Sequence, residues 1–220
     1  MRGVVIYFNG QKFGEAAQVL SIVEIFFKGG VVMYLLLLSS ITVAVIGIER
    51  FRFYRYARGK GETFLMKLKS RFAKDSANEL LEFCKRENSS IGLVAMSGLE
   101  AAIKRENVDL ALALTHDDEA MKLRARLSYL SMIVTLAPLL GLLGTIAGMI
   151  ESFNIFALQA GQPLLITGGI GEALIATATG LCVAIFALIV HTYFAQKLDE
   201  ILTMLDKTMA IVTVGIASRS

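Results

Sequence analysis

Three stretches without a single Asp, Glu, Lys or Arg, at 31–48, 128–150 and 173–194, set the terms on which this chain can fold. Each comes close to the roughly 20 apolar residues that a helix needs to cross the hydrocarbon of a bilayer, within a range of about 17–25. The first reads VVMYLLLLSSITVAVIGI. Composition agrees, because the hydrophobic set is 55% before 19 glycines are added and mean hydropathy is +0.62. A soluble domain holds about 45–50% apolar residues with glycine included. Of 22 Lys and Arg, 16 fall between Glu49 and Leu127, so a polar block is bracketed by apolar arms. A net charge of +3 and two cysteines in unlike surroundings, Cys84 and Cys182, argue against a disordered chain, a nucleic-acid binder and a disulfide scaffold. The reading is an all-α polytopic membrane protein with three transmembrane helices.

The expected division is an outer N-terminal segment at 1–30, transmembrane helices at 31–48, 128–151 and 168–194, a helical cytoplasmic domain at 49–127, an outer loop at 152–167 and a cytoplasmic C-terminal helix at 195–220. Orientation follows from the excess of Lys and Arg at cytoplasmic span ends. Arg50, Arg52, Arg55, Arg58 and Lys60 follow the first span, and Lys122, Arg124 and Arg126 precede the second. The link Ser152 to Thr167 has no basic residue and is assigned outside. The N-terminus is therefore expected outside and the C-terminus in the cytoplasm. Val4 to Phe8 is too short an apolar run for a cleaved signal peptide. From Glu15 to Lys28, Val19, Ile22, Val23, Phe26 and Phe27 fall at helical spacing, which predicts an amphipathic helix in the outer interface or packed on the protein's own spans.

The central block shows helical patterns: Phe64, Leu65, Leu68 and Phe72, then Leu80, Leu81 and Cys84, then a break at Asn88-Ser89-Ser90. A further helix is expected over about Leu93 to Arg105, and one long helix from near Asp109 into the second span. His116-Asp117-Asp118-Glu119 invites a metal reading, but four consecutive helical positions do not converge on one face. A solvated helix start is the preferred account. Cys84 reads as a reduced core residue. No phosphate loop or nucleophile elbow is visible, so no catalytic residue, metal site or cofactor is assigned.

Polar and small residues in the later spans are ordered. Ser131, Pro138, Thr145 and Ser152 lie seven apart, with Gly141, Gly144 and Gly148 beside them. Glycines at such positions let a neighbouring helix approach closely. Pro138 lacks an N–H and should kink the helix. In the third span Ala173, Thr177, Gly180, Ala184 and His191 share a face. Each span thus offers a glycine-lined face with a threonine, whose hydroxyl either serves a pathway or returns to its own i−4 carbonyl. Glu172 stands at the start of the third span, where an ionisable group tends to mark an ion route or a buried partner. It lies about 140° from Thr177 on an ideal helix, so both face one lumen only with local distortion. Glu151 reads as interfacial.

The segments APLLGLLGTIAGMIESF, from Ala137, and GIGEALIATATGLCVAIFALIVH, from Gly169, resemble the ExbB/TolQ/MotA family of proton-channel proteins, closest to its ExbB and TolQ branch. The resemblance implies a homopentamer around a central pore that holds the membrane helices of an ExbD- or TolR-like single-span dimer, with a TonB- or TolA-like protein possible beyond it. It implies a bacterial inner membrane and use of the proton motive force for outer-membrane transport or envelope maintenance. Carried over residue by residue, Thr145, Thr177 and Glu172 match the family's ion pathway, and the titrating aspartate comes from the partner. Phe186 stands where ExbB-type members usually have proline, and three spans rather than four argue against a flagellar stator. Hydroxyls also coordinate sodium, so the ion stays open. The competing readings are a TolQ-type envelope role, a passive channel or a membrane scaffold, although neither inverted repeats nor a mid-span carboxylate is visible.

Overall fold

The structure, a computed structural model, describes residues 30–158 and 163–219, with the side chains of 155–168 and 172 outside the description. The amphipathic helix expected at 15–28 lies outside the described residues. The described chain is helical throughout: α1 Gly30–Arg58, α2 Gly61–Phe72, α3 Ala77–Arg86, α4 Ser90–Lys104, α5 Val108–Arg124, α6 Leu127–Leu158 and α7 Pro163–Ala217. The third span and the C-terminal helix, separate segments in the sequence reading, belong to the single helix α7. Two units can be distinguished, Met1–Ala44 with Leu130–Ile189, and Val45–Tyr129 with Val190–Ser220.

Local chemistry explains the starts of the short helices. Ser76 caps α3 with a reciprocal box: its hydroxyl accepts from the Glu79 N–H, and the Glu79 carboxylate accepts from the Ser76 N–H at 2.7 Å. Those bonds to the ionised form hold the Glu79 carboxyl below its usual range. The Ser89 hydroxyl accepts from Gly92 N–H at 3.3 Å and starts α4 a turn before the expected Leu93. Asn107 accepts from Leu110 N–H at 3.0 Å and starts α5.

The second unit has a core of its own. Phe64, Leu65, Leu68 and Phe72 are all buried on α2, as are Leu80 and Cys84 on α3. Ile91, Val94, Ala95 and Leu99 of α4 join Leu112 and Leu123 of α5 and Ile201, Leu205 and Val212 of α7. Each such side chain contributes roughly 1.5–3 kcal/mol when taken out of water. Gly98 lets helices close in, since a Cβ there would lie 2.7 Å from side-chain carbons of both Leu112 and Val212. Burial pushes the Cys84 thiol up to about 12, so it stays protonated.

Two expectations are corrected here. The continuous helix from Asp109 into the second span is broken: α5 ends at Arg124, Ala125 is extended, and Arg126 takes a left-handed φ of 68° before α6 begins. A non-glycine residue in that region is uncommon. The last carbonyls of α5 are left without helical donors, a general cost of a helix end. Here α1 supplies them. Arg50, 4% exposed, donates from Nη1 to the carbonyls of Lys122 at 3.0 Å and Leu123 at 3.4 Å, and the Tyr54 hydroxyl donates to Leu123 O at 2.9 Å. Arg126 is held by an ion pair to Glu49.

The second correction is that His116 to Glu119 lie in the middle of α5, not at a solvated start. Glu119 is buried and shares Lys122 with Asp118. His116 has Asp117 at one ring nitrogen and Asp206 of α7 at the other, each at 3.1 Å. Among the described residues no three potential ligands converge on a metal position.

Three helical stretches are long and apolar enough to cross a membrane, Gly30–Phe72, Val108–Asn154 and Gly169–Ala217. Only 22%, 22% and 33% of their most apolar windows are buried within one chain. Leu38, Leu139, Leu174 and Ile185 each stand about 60% exposed. So large a display of aliphatic surface belongs in lipid or against further membrane helices. The chain is a membrane protein.

Candidate functional site: the α6–α7 seam

In the first unit, α6 and α7 meet along their small residues. A Cβ on Gly180 would lie 2.6 Å from the Ala137 carbonyl oxygen and 3.0 Å from Gly141 Cα. One on Gly141 would come within 3.0 Å of Thr177 Cα. At Gly144 and Gly148 the nearest atoms would be the Cβ carbons of Ala176, at 2.7 Å, and Ala173, at 2.9 Å. The backbones therefore approach as closely as glycine and alanine permit. Val32 of α1 also reaches this seam, 3.5 Å from the Gly144 Cβ position.

The two threonines behave differently. The Thr177 hydroxyl crosses the seam and donates to Gly141 O at 2.8 Å. Thr145, 9% exposed, donates to Leu142 O in its own helix at 2.7 Å. Ser152 is also buried and donates to Gly148 O at 2.7 Å. Hydroxyls elsewhere in the spans do likewise: Ser39 to Leu35 O, Thr42 to Leu38 O and Thr179 to Ile175 O, at 2.8–2.9 Å. An unpaired hydroxyl in hydrocarbon costs several kcal/mol, which is why each turns back on a carbonyl. α6 runs through Pro138 without interruption, and the ring removes the N–H that Val134 O would have accepted.

The structure thus brings Gly141, Gly144, Gly148, Gly180 and Thr177 into one seam, keeps Thr145 buried on α6 with its hydroxyl on its own helix, and leaves Ser131 exposed. The Glu172 side chain lies outside the described residues. Phe186 is 43% exposed on the outer face of α7. Sequence reasoning placed Ala173, which faces Gly148, on the small-residue face of the third span, but it missed Ala176, which faces Gly144, and the acceptor of the Thr177 proton. The signal was present in the run of small residues Ala173, Ala176, Gly180 and Ala184 at three- and four-residue steps.

Residues 79–207 match the sequence model of the MotA/TolQ/ExbB proton channel family. An ExbB-like biopolymer transport protein, ExbB-like 1 of Synechocystis, is 37% identical over 172 residues, 75% of this chain and 67% of its own length. TolQ of the Tol-Pal system of Pseudomonas aeruginosa is 33% identical over 120 residues, 52% of each chain. The biopolymer transport protein ExbB of Xanthomonas campestris is 31% identical over 138 residues, 62% of this chain and 53% of the other. With more than half its length matched, the chain belongs to the MotA/TolQ/ExbB proton channel family, which is a family of transport components and not of enzymes.

Proposed function

We propose that the chain is the channel-forming subunit of an inner-membrane motor that uses the proton motive force together with an ExbD/TolR-like single-span partner. The observation that carries this reading is what the spans contain: buried hydroxyls and close glycine contacts, but no Asp, Glu, Lys or Arg over 128–150 or 173–194. Such spans can line and shape a route, while the carboxylate that takes up and releases the ion has to come from another chain. Thr145 and Thr177 are the proposed lining hydroxyls, and Glu172 the proposed acidic group at the outer end of α7. Several copies, five in this reading, close around the partner's helices and cover the apolar faces that one chain leaves open. Similarity to proteins named ExbB supports service to outer-membrane transport, and similarity to TolQ supports the second reading, envelope maintenance.

The test is co-expression with a single-span protein that carries a membrane aspartate, followed by native mass measurement of the complex and a proton-flux assay in liposomes. A stable complex that leaks protons only when that aspartate is intact is the expected result. Proton flux from this chain alone would instead establish a passive channel. A TonB- or a TolA-like protein in the purified complex decides between the two services.

A further inference from the structure

Where α1 and α7 emerge from the spans, within the second unit, they leave a groove of about 120 Å³ between Phe51, Arg55 and Arg58 on one side and Tyr193, Lys197 and Glu200 on the other. That is room for about four water molecules at about 30 Å³ each, the scale of a phosphate and its first linked atoms. Its floor is fixed. Tyr54 and Phe194 are each 5% exposed and pack edge to face with centroids 5.6 Å apart, and the Tyr54 hydroxyl is tied to Leu123 O.

The rim is cationic with unused capacity. Lys197 is spent on Glu200, which it holds at 2.7 and 2.9 Å. Arg55 lies over the Phe51 ring, 5.8 Å from its centroid. Among the described residues neither Arg55 nor Arg58 has a carboxylate within ion-pair distance, although Arg58 stands near enough to Glu200 to act on its charge. Helical side chains lean toward the N-terminus of their helix. Both α1 and α7 leave the apolar spans at this point, so all three cations lean back toward the bilayer. Phe51 and Tyr193, 48% and 46% exposed, continue the groove toward the apolar belt at Ile48, 67% exposed. Aromatic rings beside flexible cations are what the headgroup level of a membrane accommodates.

We infer that this groove is a binding site for the phosphate of an anionic phospholipid, with Arg55 and Arg58 on the phosphate oxygens and an acyl chain lying along Phe51 and Tyr193. Charge decides against a zwitterionic lipid. Two guanidiniums with no ion-pair partner among the described residues repel an added ammonium, and the one acid that would attract it, Glu200, is already paired with Lys197. Arginine's planar fork also suits a phosphate better than a point charge does.

The experiment uses the full chain purified in mild detergent, with retained lipid counted by native mass spectrometry. Phosphatidylglycerol and phosphatidylcholine of identical acyl chains are offered in turn, and inorganic phosphate is offered as a separate competitor. The wild-type chain is expected to retain phosphatidylglycerol over phosphatidylcholine by about fivefold or more, the worth of one juxtamembrane charge. Arg55→Gln with Arg58→Gln should abolish that preference, while Lys67→Gln, on α2 outside the groove, should leave it intact. Glu200→Gln removes the groove's own acid and should raise phosphatidylglycerol retention, a gain that misfolding cannot imitate. Equal retention of the two lipids, an unchanged preference in the double variant, or no gain from Glu200→Gln would each overturn the assignment. Displacement of the lipid by millimolar inorganic phosphate would overturn it too, in favour of a site for soluble anions.

Discussion

The Thr177 side chain donates its proton to Gly141 of the neighbouring helix, at 2.8 Å, and not to a carbonyl of its own turn. In a seam where glycines already set the distance between backbones, that bond fixes how far one helix can slide along the other.

Thr177→Val preserves the shape and removes the donor. The expected loss of stability is about 1 kcal/mol, since an intramolecular hydrogen bond contributes about that much net. Thermal unfolding of the purified protein reads it. If the hydroxyls also serve the ion, the Thr145→Val, Thr177→Val double variant should keep its complex with the partner by native mass and lose proton-driven activity in a complementation strain. Full activity in the double variant would reject the pathway role of both threonines.

Glycine positions on α6 and α7 should rank by what a methyl group meets. At Gly180 it meets backbone, the Ala137 carbonyl at 2.6 Å, whereas at Gly171 it meets nothing within 4 Å. Gly180→Ala is expected to cost roughly 1–3 kcal/mol, in the range of overpacking, and Gly171→Ala to be silent or slightly stabilising. Melting temperatures of the two variants, measured side by side, settle the order.

Arg50 does two jobs that substitution can separate. Arg50→Met removes a positive charge beside the first span and also strips the side-chain donor from the Lys122 carbonyl, while Leu123 O keeps the Tyr54 hydroxyl; leaving the Lys122 carbonyl unpaired should cost about 1–3 kcal/mol. Arg50→Lys keeps the charge but loses the planar fork. Normal membrane orientation with a lowered melting temperature is expected for the lysine variant. An unchanged melting temperature in both variants would remove the cap from the stability of the α5 end.

Cys84 should be inert in the folded protein. Its thiol is pushed up to about 12 by burial, against an ordinary value of about 8.5, so the folded state favours the neutral form. The sign follows: this preference is fully present below the unfolded value and is lost as pH rises from there toward 12. Alkylation at pH 9 is expected to be at least tenfold slower in the folded protein than after unfolding. Equal rates would place the thiol in solvent.

Topology can be read with single cysteines in a chain carrying Cys84→Ala and Cys182→Ala. Ser70→Cys, on the exposed face of α2, is expected to resist an impermeant thiol reagent in intact spheroplasts, and Gln162→Cys to react. Labelling at position 70 in sealed cells would reverse the assignment.

The spans were legible because hydrocarbon tolerates so few residue types that their absence from 31–48 or 173–194 is itself a signal. The core of α2 was legible for a related reason, since Phe64, Leu65, Leu68 and Phe72 repeat at the period of a helix. The break at Ala125–Arg126 was not. The run Leu123 to Leu127 contains neither glycine nor proline, and the turn depends on donors from Arg50 and Tyr54, about seventy residues earlier. Arg50 itself read only as one of several flanking charges, because a tally of basic residues cannot distinguish a side chain in solvent from one that caps a helix. The seam glycines and Ala173 were visible as spacing, but Ala176 carries no polar atom to mark it as the partner of Gly144.

The crossing bond of Thr177 also bears on how the protein is made. Most span hydroxyls on α1 and α6, and Thr179 on α7, bond within their own helix, so each segment can enter the bilayer with those groups already satisfied. Before α6 and α7 have met, Thr177 has only carbonyls of its own helix to bond. Pairing then exchanges one acceptor for another, with little change in the number of bonds. The exchange gives the hairpin little energy but selects its alignment, because sliding by a single turn, about 5.4 Å, would carry the hydroxyl past Gly141. Correct assembly of a newly inserted hairpin is thus recognised by position, at a contact too weak to trap a wrong one.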